Sequence, residues 1–161
     1  MTSDIENSIL KKLYNQYFEN YVIGFRKTTL EDELSPNNPN DVRMALNSLA
    51  DNFLISLENN QYKITVFGIK YLEEKELVDS LQHQNRRNKI ISILKGFYEK
   101  DTDHYVSHEI ILKELKLSGP IEILSDMKYL KDEGYLYLQL YLGGSFETKL
   151  TNAGYELSKG I

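Results

Sequence analysis

The 161-residue chain contains no cysteine, which removes disulfides, thiolate metal sites and thiol-based redox sensing at once. It also lacks a basic excess. The formal net charge is −5, whereas a chain that neutralises phosphates normally carries surplus Lys and Arg. The deficit is uneven: residues 1–85 hold 8 Lys/Arg against 13 Asp/Glu, and residues 86–161 hold 11 of each. Many repressors are acidic overall and gather positive charge on one face, so this balance weighs against nucleic-acid binding without excluding it. No apolar run reaches the length of a membrane span, and Met1-Thr-Ser-Asp4 lacks a basic, hydrophobic leader. A soluble, cytoplasmic protein with no membrane contact is expected. A glycine-rich phosphate loop is missing too, because Gly143-Gly144 falls in a hairpin turn.

Catalytic constellations are equally scarce. Asp101, Asp103, His104, His108 and Glu109 crowd together, but they straddle a loop and a helix start and lack i, i+4 placement on one helix. Loop polarity and capping account for them. Glu73, Glu74 and Glu76 read as a solvated helical charge run, and His83 has no paired nucleophile or acid. The sequence predicts no enzyme, no metal and no cofactor.

What is present is a phrase that occurs twice. Ile64-Thr65-Val-Phe-Gly68-Ile-Lys-Tyr-Leu72 in the first half is matched by Leu150-Thr151-Asn-Ala-Gly154-Tyr-Glu-Leu157 in the second. An apolar residue ends a strand, and Thr supplies a hydroxyl for the orphaned N–H groups of a new helix. Gly three residues later leaves room for a close backbone. The flanks match as well: Leu46 to Ile55 pairs with Met127 to Leu136, Thr29 to Leu34 with Glu109 to Leu115, and Ile9 to Tyr14 with Ile93 to Tyr98. Repetition over half a chain marks a duplicated module. Each half then reads as three helices, a β-hairpin and a closing helix, an α+β fold that is mainly α. The boundaries fall at 1–80 and 89–161, with 81–88 a polar linker or part of a continuous helix.

That order resembles the winged helix-turn-helix superfamily, here as two tandem copies, and the closing phrase is similar to the Leu/Ile-Thr-x-x-Gly-x-x-x-Leu ending of its prokaryotic regulators. The resemblance implies a fold. It leaves function open, because winged helices serve both as DNA readers and as protein-docking modules.

Taken in order, Ser3-Asp-Ile-Glu6 has capping-box spacing, and Ile5, Ile9, Leu13 and Tyr17 give the first helix its apolar face. Val22 to Phe25 is β-like, Thr28 or Thr29 should cap a short second helix, and Ser35 to Asn40 is turn-forming. The third helix, from Asp41 to Asp51, turns Val42, Ala45, Leu46 and Leu49 inward. Asn40, Arg43, Asn47 and Asp51 form the opposite stripe. In a DNA-binding member Arg43 would reach guanine and Asn47 or Asn40 adenine, each by two hydrogen bonds; a plain solvated face is the alternative. The wing would add Asn59 and Asn60 at its turn, with Gln61 and Lys63 behind them. Phe67 to Leu81 is amphipathic without a strong breaker. Arg86 and Arg87, with Lys89, form the densest basic cluster, either a phosphate clamp or a solvated linker.

In the second half Ser107 should cap a helix from His108 to Leu115. The following helix turns Ile123 or Leu124, Met127 and Leu130 inward, and Glu122, Asp126, Tyr129 and Glu133 outward, a poor surface for phosphates. Tyr135 to Leu142 alternates strictly, with Leu136, Leu138, Leu140 and Leu142 on a core face and Tyr135, Tyr137, Gln139 and Tyr141 on the other. The tyrosines make a candidate interface. Two functions follow. One is a transcriptional regulator that binds double-stranded DNA through its first domain. The other is an acidic scaffold that docks a protein partner, resembling accessory subunits of chromosome-organising or membrane-remodelling complexes. A homodimer suits either.

Overall fold

The computed structural model describes residues 3–20, 24–34 and 38–161. The fold is α+β, mainly helical, with two small antiparallel sheets. It divides after Asp79 into two compact units.

In the first unit, helix α1 (Asp4–Asn20) opens on a reciprocal cap: the Ser3 N–H donates to Glu6 Oε2 at 2.5 Å and the Glu6 N–H to Ser3 Oγ at 3.2 Å. Its buried row, Ile9, Leu10, Leu13 and Tyr14, packs on α3, β3 and α4. A two-residue strand β1 (Phe25–Arg26) runs directly into α2 (Lys27–Glu33), so the helix starts ahead of the threonines expected to cap it. Helix α3 (Pro39–Asp51) begins two residues earlier than its apolar pattern suggests. Asn38 accepts from the Asn40 N–H at 2.9 Å, and Pro39 sits at the first helical position, where its missing N–H costs nothing. Strands β2 (Ile55–Glu58) and β3 (Gln61–Ile64) are joined by Asn59-Asn60, both with positive φ, as a two-residue hairpin turn of this hand requires. The sheet order is β1-β3-β2. Of the β-like stretch expected at Val22 to Phe25, Val22 and Ile23 lie outside the described residues, as do Ser35 to Asn37 of the expected turn.

Helix α4 (Val66–Glu74) is shorter than the amphipathic run implies. Glu76 adopts φ 53°, its N–H bonds to Glu73 O and the Leu77 N–H to Leu72 O, a left-handed stop made without glycine. The chain leaves helix at 75–80, and residues 81–88, read from sequence as a polar linker or part of a continuous helix, belong to α5 (Leu81–Tyr98).

The second unit repeats the order: α5, β4 (Val106–Ser107), α6 (His108–Leu115), a single 3-10 turn at Pro120–Glu122, α7 (Leu124–Asp132), β5 (Leu136–Leu140), β6 (Phe146–Leu150) and α8 (Asn152–Ser158), with sheet order β4-β6-β5. Ser107 stands at the N-cap of α6 but makes no side-chain cap bond. The buried rows of α1 and α5 correspond at Ile9/Ile90, Leu10/Ile91 and Leu13/Leu94. This is one helical turn away from the match that the sequence suggests. The same spacing relates Leu46 to Met127, Leu49 to Leu130 and Ile55 to Leu136, all buried.

Both copies of the repeated phrase form one junction. Thr65 Oγ1 donates to Phe53 O at 2.6 Å and accepts from the Gly68 N–H at 3.2 Å. Thr151 Oγ1 donates to Gly134 O at 2.7 Å and accepts from the Gly154 N–H at 3.0 Å. A Cβ on Gly68 would overlap the Leu54 carbonyl oxygen, and one on Gly154 the Tyr135 carbonyl oxygen. Gly68→Ala and Gly154→Ala should each cost about 1–3 kcal/mol of stability, as overpacking does. Gly96→Ala on the open face of α5 should instead gain roughly 0.5–1 kcal/mol. Urea unfolding of the three variants checks both signs.

Candidate nucleic-acid interface

The candidate reading face rests on α3. Val42, Leu46 and Leu49 are buried, which turns Asn40, Arg43, Asn47 and Asp51 to solvent, all four exposed. Arg43 Nη2 donates to Asn40 Oδ1 at 3.2 Å, so the two side chains stand together on the first turns. Met44 is exposed on the same side of the helix. The helix is fixed from behind by α1. Burial alone would raise the Glu6 carboxyl, but hydrogen bonds from Ser48 of α3 and from Ser3 outweigh it and hold the group below the usual carboxylate range. Asn59 and Asn60 are exposed at the hairpin turn. Lys63 is less free than expected: its side chain is half-buried and lies 3.4 Å from Glu58.

The second unit differs. Asp126 and Tyr129, expected to face outward, are buried, Asp126 to 1% exposure. Arg87, expected on a solvated linker or as a phosphate clamp, is 5% exposed. Asp126 Oδ2 lies 3.3 Å from both Arg86 Nη1 and His83 Nδ1, and Arg87 Nε stands 3.7 Å from Oδ1. Arg86 also donates to Glu122 O at 2.6 Å, and the Arg87 guanidinium carbon lies over the Tyr129 ring, 4.0 Å from its centroid. Oδ1 of Asp126 accepts no hydrogen bond among the described residues, so the Arg87 charge is what compensates it. Two guanidiniums of α5 are thus committed to the buried side of α7, while Lys128, Lys131 and Asp132 remain on its solvent side. The signal for this was Asp126 on a helix whose other end of the pair lies some forty residues earlier; neighbouring residues carry no trace of it.

The hairpin of the second unit is also more open than its alternation suggests. Leu136 closes the core and Leu138 is half-buried, but Leu140 is 48% exposed and Leu142 fully so. The strand outruns the body of the unit beneath it. On the other face Tyr135 is half-buried, Tyr137 is 53% exposed and Tyr141 48%. Their surroundings are polar: Tyr141 Oη donates to Glu147 at 2.7 Å, which raises the phenol pKa, and Lys149 approaches the rings of Tyr137 and Tyr105. Lys149 bonds Asp103 at 2.7 Å, and that hydrogen bond lowers the Asp103 carboxyl. Asp103, Tyr137 and Lys149, with Tyr98 and Asn152, line an open groove of about 590 Å³, in which Asp103 and Lys149 satisfy each other. His104 stacks on Phe97 and His108 lies against Phe146. Among the described residues no three His, Asp or Glu side chains are placed to hold a metal ion, and no helix is long and apolar enough to cross a membrane.

Asp126→Ala should cost about 3 kcal/mol, the usual result of leaving buried cations without their counter-charge, and thermal unfolding measures it. Glu6→Ala should cost about 1 kcal/mol at neutral pH, as loss of a helix cap does. Because the folded-state pKa of Glu6 is lowered, this contribution is full above the ordinary Glu pKa of about 4.3. It disappears as pH falls through the folded value. Urea midpoints of wild type and variant should therefore converge in acid. Comparison with protein-family models, curated proteins and solved structures gives no match, so function is argued from the chain's own geometry.

Proposed function

We propose that each unit is a winged helix-turn-helix domain and that the first binds duplex DNA as part of a transcriptional regulator. The observation that carries this reading is the face of α3, on which Asn40, Arg43 and Asn47 are exposed together, with Arg43 bonded to Asn40. Support comes from the shared element order and from the three-stranded sheet of each unit. Arg paired to a neighbouring Asn is the chemistry that reads guanine and adenine edges in the major groove. The Asn59-Asn60 turn would contact the backbone beside it, through polar groups rather than charge. The second unit would contribute structure or association, since Arg86 and Arg87 are spent on Asp126 and the positions that match Asn40, Arg43 and Asn47 hold Ile121, Leu124 and Lys128.

A protein-docking scaffold is the second reading. The acidic balance of residues 1–85 favours it, as does Met44, an exposed apolar side chain on the α3 surface. The two separate on one experiment. Under the DNA reading the full chain retards its own promoter region at low salt, and Arg43→Ala weakens specific binding by about 1–3 kcal/mol, the value of a base contact. Arg86→Ala leaves the affinity unchanged. A wild-type chain that shifts no duplex even at low salt would leave the scaffold.

A further inference from the structure

The last strand of the second sheet has an open side. Tyr141 N–H donates to Ser145 O at 2.9 Å, and Thr151 N–H donates to Tyr135 O at 3.1 Å. Both bonds lie in the register of the β5–β6 ladder. In an antiparallel ladder the backbone groups of successive residues alternate in direction. The odd residues therefore spend theirs on β6, and the N–H and C=O groups of Leu138 and Leu140 point away from it. In the order β4-β6-β5, no strand among the described residues lies beyond β5. Natural edges are blunted by Lys, Pro, a bulge or brevity; Leu136 to Leu142 has no charge, no proline and no glycine. β5 itself spans five residues and runs on into Tyr141 and Leu142, whereas the corresponding edge in the first unit is four residues long and ends on the charged Glu58.

The run has one further property. Leu136-Tyr-Leu-Gln-Leu-Tyr-Leu142 reads the same in both directions. Antiparallel pairing reverses one chain, so a palindromic strand is complementary to itself. We infer that β5 pairs with β5 of a second copy of this chain about a two-fold axis at Gln139. In that register Leu138 stands opposite Leu140 of the second copy, Tyr137 opposite Tyr141, and Gln139 opposite itself, with Leu136 facing Leu142 in the turn just past β5. Leu138 and the opposing Leu140 exchange the outward hydrogen bonds. The tyrosines and glutamines occupy the non-hydrogen-bonded pairs, where side chains approach most closely. A two-fold contact must be self-complementary. An uncharged strand meets that demand, and residues 86–161, with 11 charges of each sign, bring no net repulsion. The half-exposed leucines and tyrosines at the hairpin tip are covered by the same contact, whatever α3 binds.

The test is the mass of the full chain by sedimentation equilibrium. Wild type is expected at twice the chain mass. Gln139→Lys should weaken self-association on the order of tenfold or more, because two ammonium groups then face each other on the axis. Within its own chain residue 139 stands across from Glu147, so the lysine suits the folded hairpin, and an unchanged melting curve confirms it. Mixing Gln139→Lys with Gln139→Glu should restore the double mass through opposite charges. Leu140→Pro, which removes an outward N–H and leaves the β6 ladder intact, should also give single chains. A wild type of single-chain mass at every concentration reached, or a dimer indifferent to Gln139→Lys, would overturn the proposal.

Discussion

A single threonine hydroxyl ties each unit together. It donates to the carbonyl at the end of one helix and accepts from the N–H that starts the next, so α3, the hairpin and α4 meet at Thr65. In the second unit α7, its hairpin and α8 meet in the same way at Thr151. The glycine three residues on lets the strand backbone pass within van der Waals reach of the helix. Losing either feature would free the hairpin from the helix before it. The exposed side chains of α3 are held in a fixed relation to the Asn59-Asn60 turn by this junction.

The two units solve one packing problem differently. At the same place on the first helix of each unit stands a buried polar residue, Glu6 in one and Arg87 in the other. Glu6 bonds Ser48, and Arg87 lies over Tyr129, the residue that corresponds to Ser48. Ala45 of α3 is replaced in α7 by Asp126, which draws Arg86 as well as Arg87 onto the helix. Ala45 is buried in the inward row of α3 and requires no counter-charge. A carboxylate at that buried position is instead ion-paired, because a charge taken out of water must be compensated.

Much of this was legible in the residues. The Ser3–Glu6 cap, the inward rows of α3 and α7, the Asn-Asn turn and the paired Thr-x-x-Gly junctions all depend on neighbours a few positions away, and local patterns report them. What the sequence concealed depends on distant partners or on backbone conformation. The burial of Arg87 requires Asp126 and Tyr129, far along the chain, so a charged helix start reads as solvated. Helix α4 stops at Glu76 and α6 at Lys116 in left-handed conformations that usually mark glycine, and neither residue type announces the stop. The leucine face of β5 follows the rule of alternation, but a strand can outrun the core beneath it, as Leu140 and Leu142 do.

The central claim is that the α3 face, rather than the arginine pair of α5, is the working surface. Amide resonances of the labelled full chain, followed while a DNA duplex is added at low salt, test it most directly. The account predicts shifts at Asn40, Arg43, Asn47 and the Asn59-Asn60 turn, with those of Arg86 and Arg87 unmoved. Shifts centred on Arg86 and Arg87, or a spectrum unchanged by duplex, would contradict it.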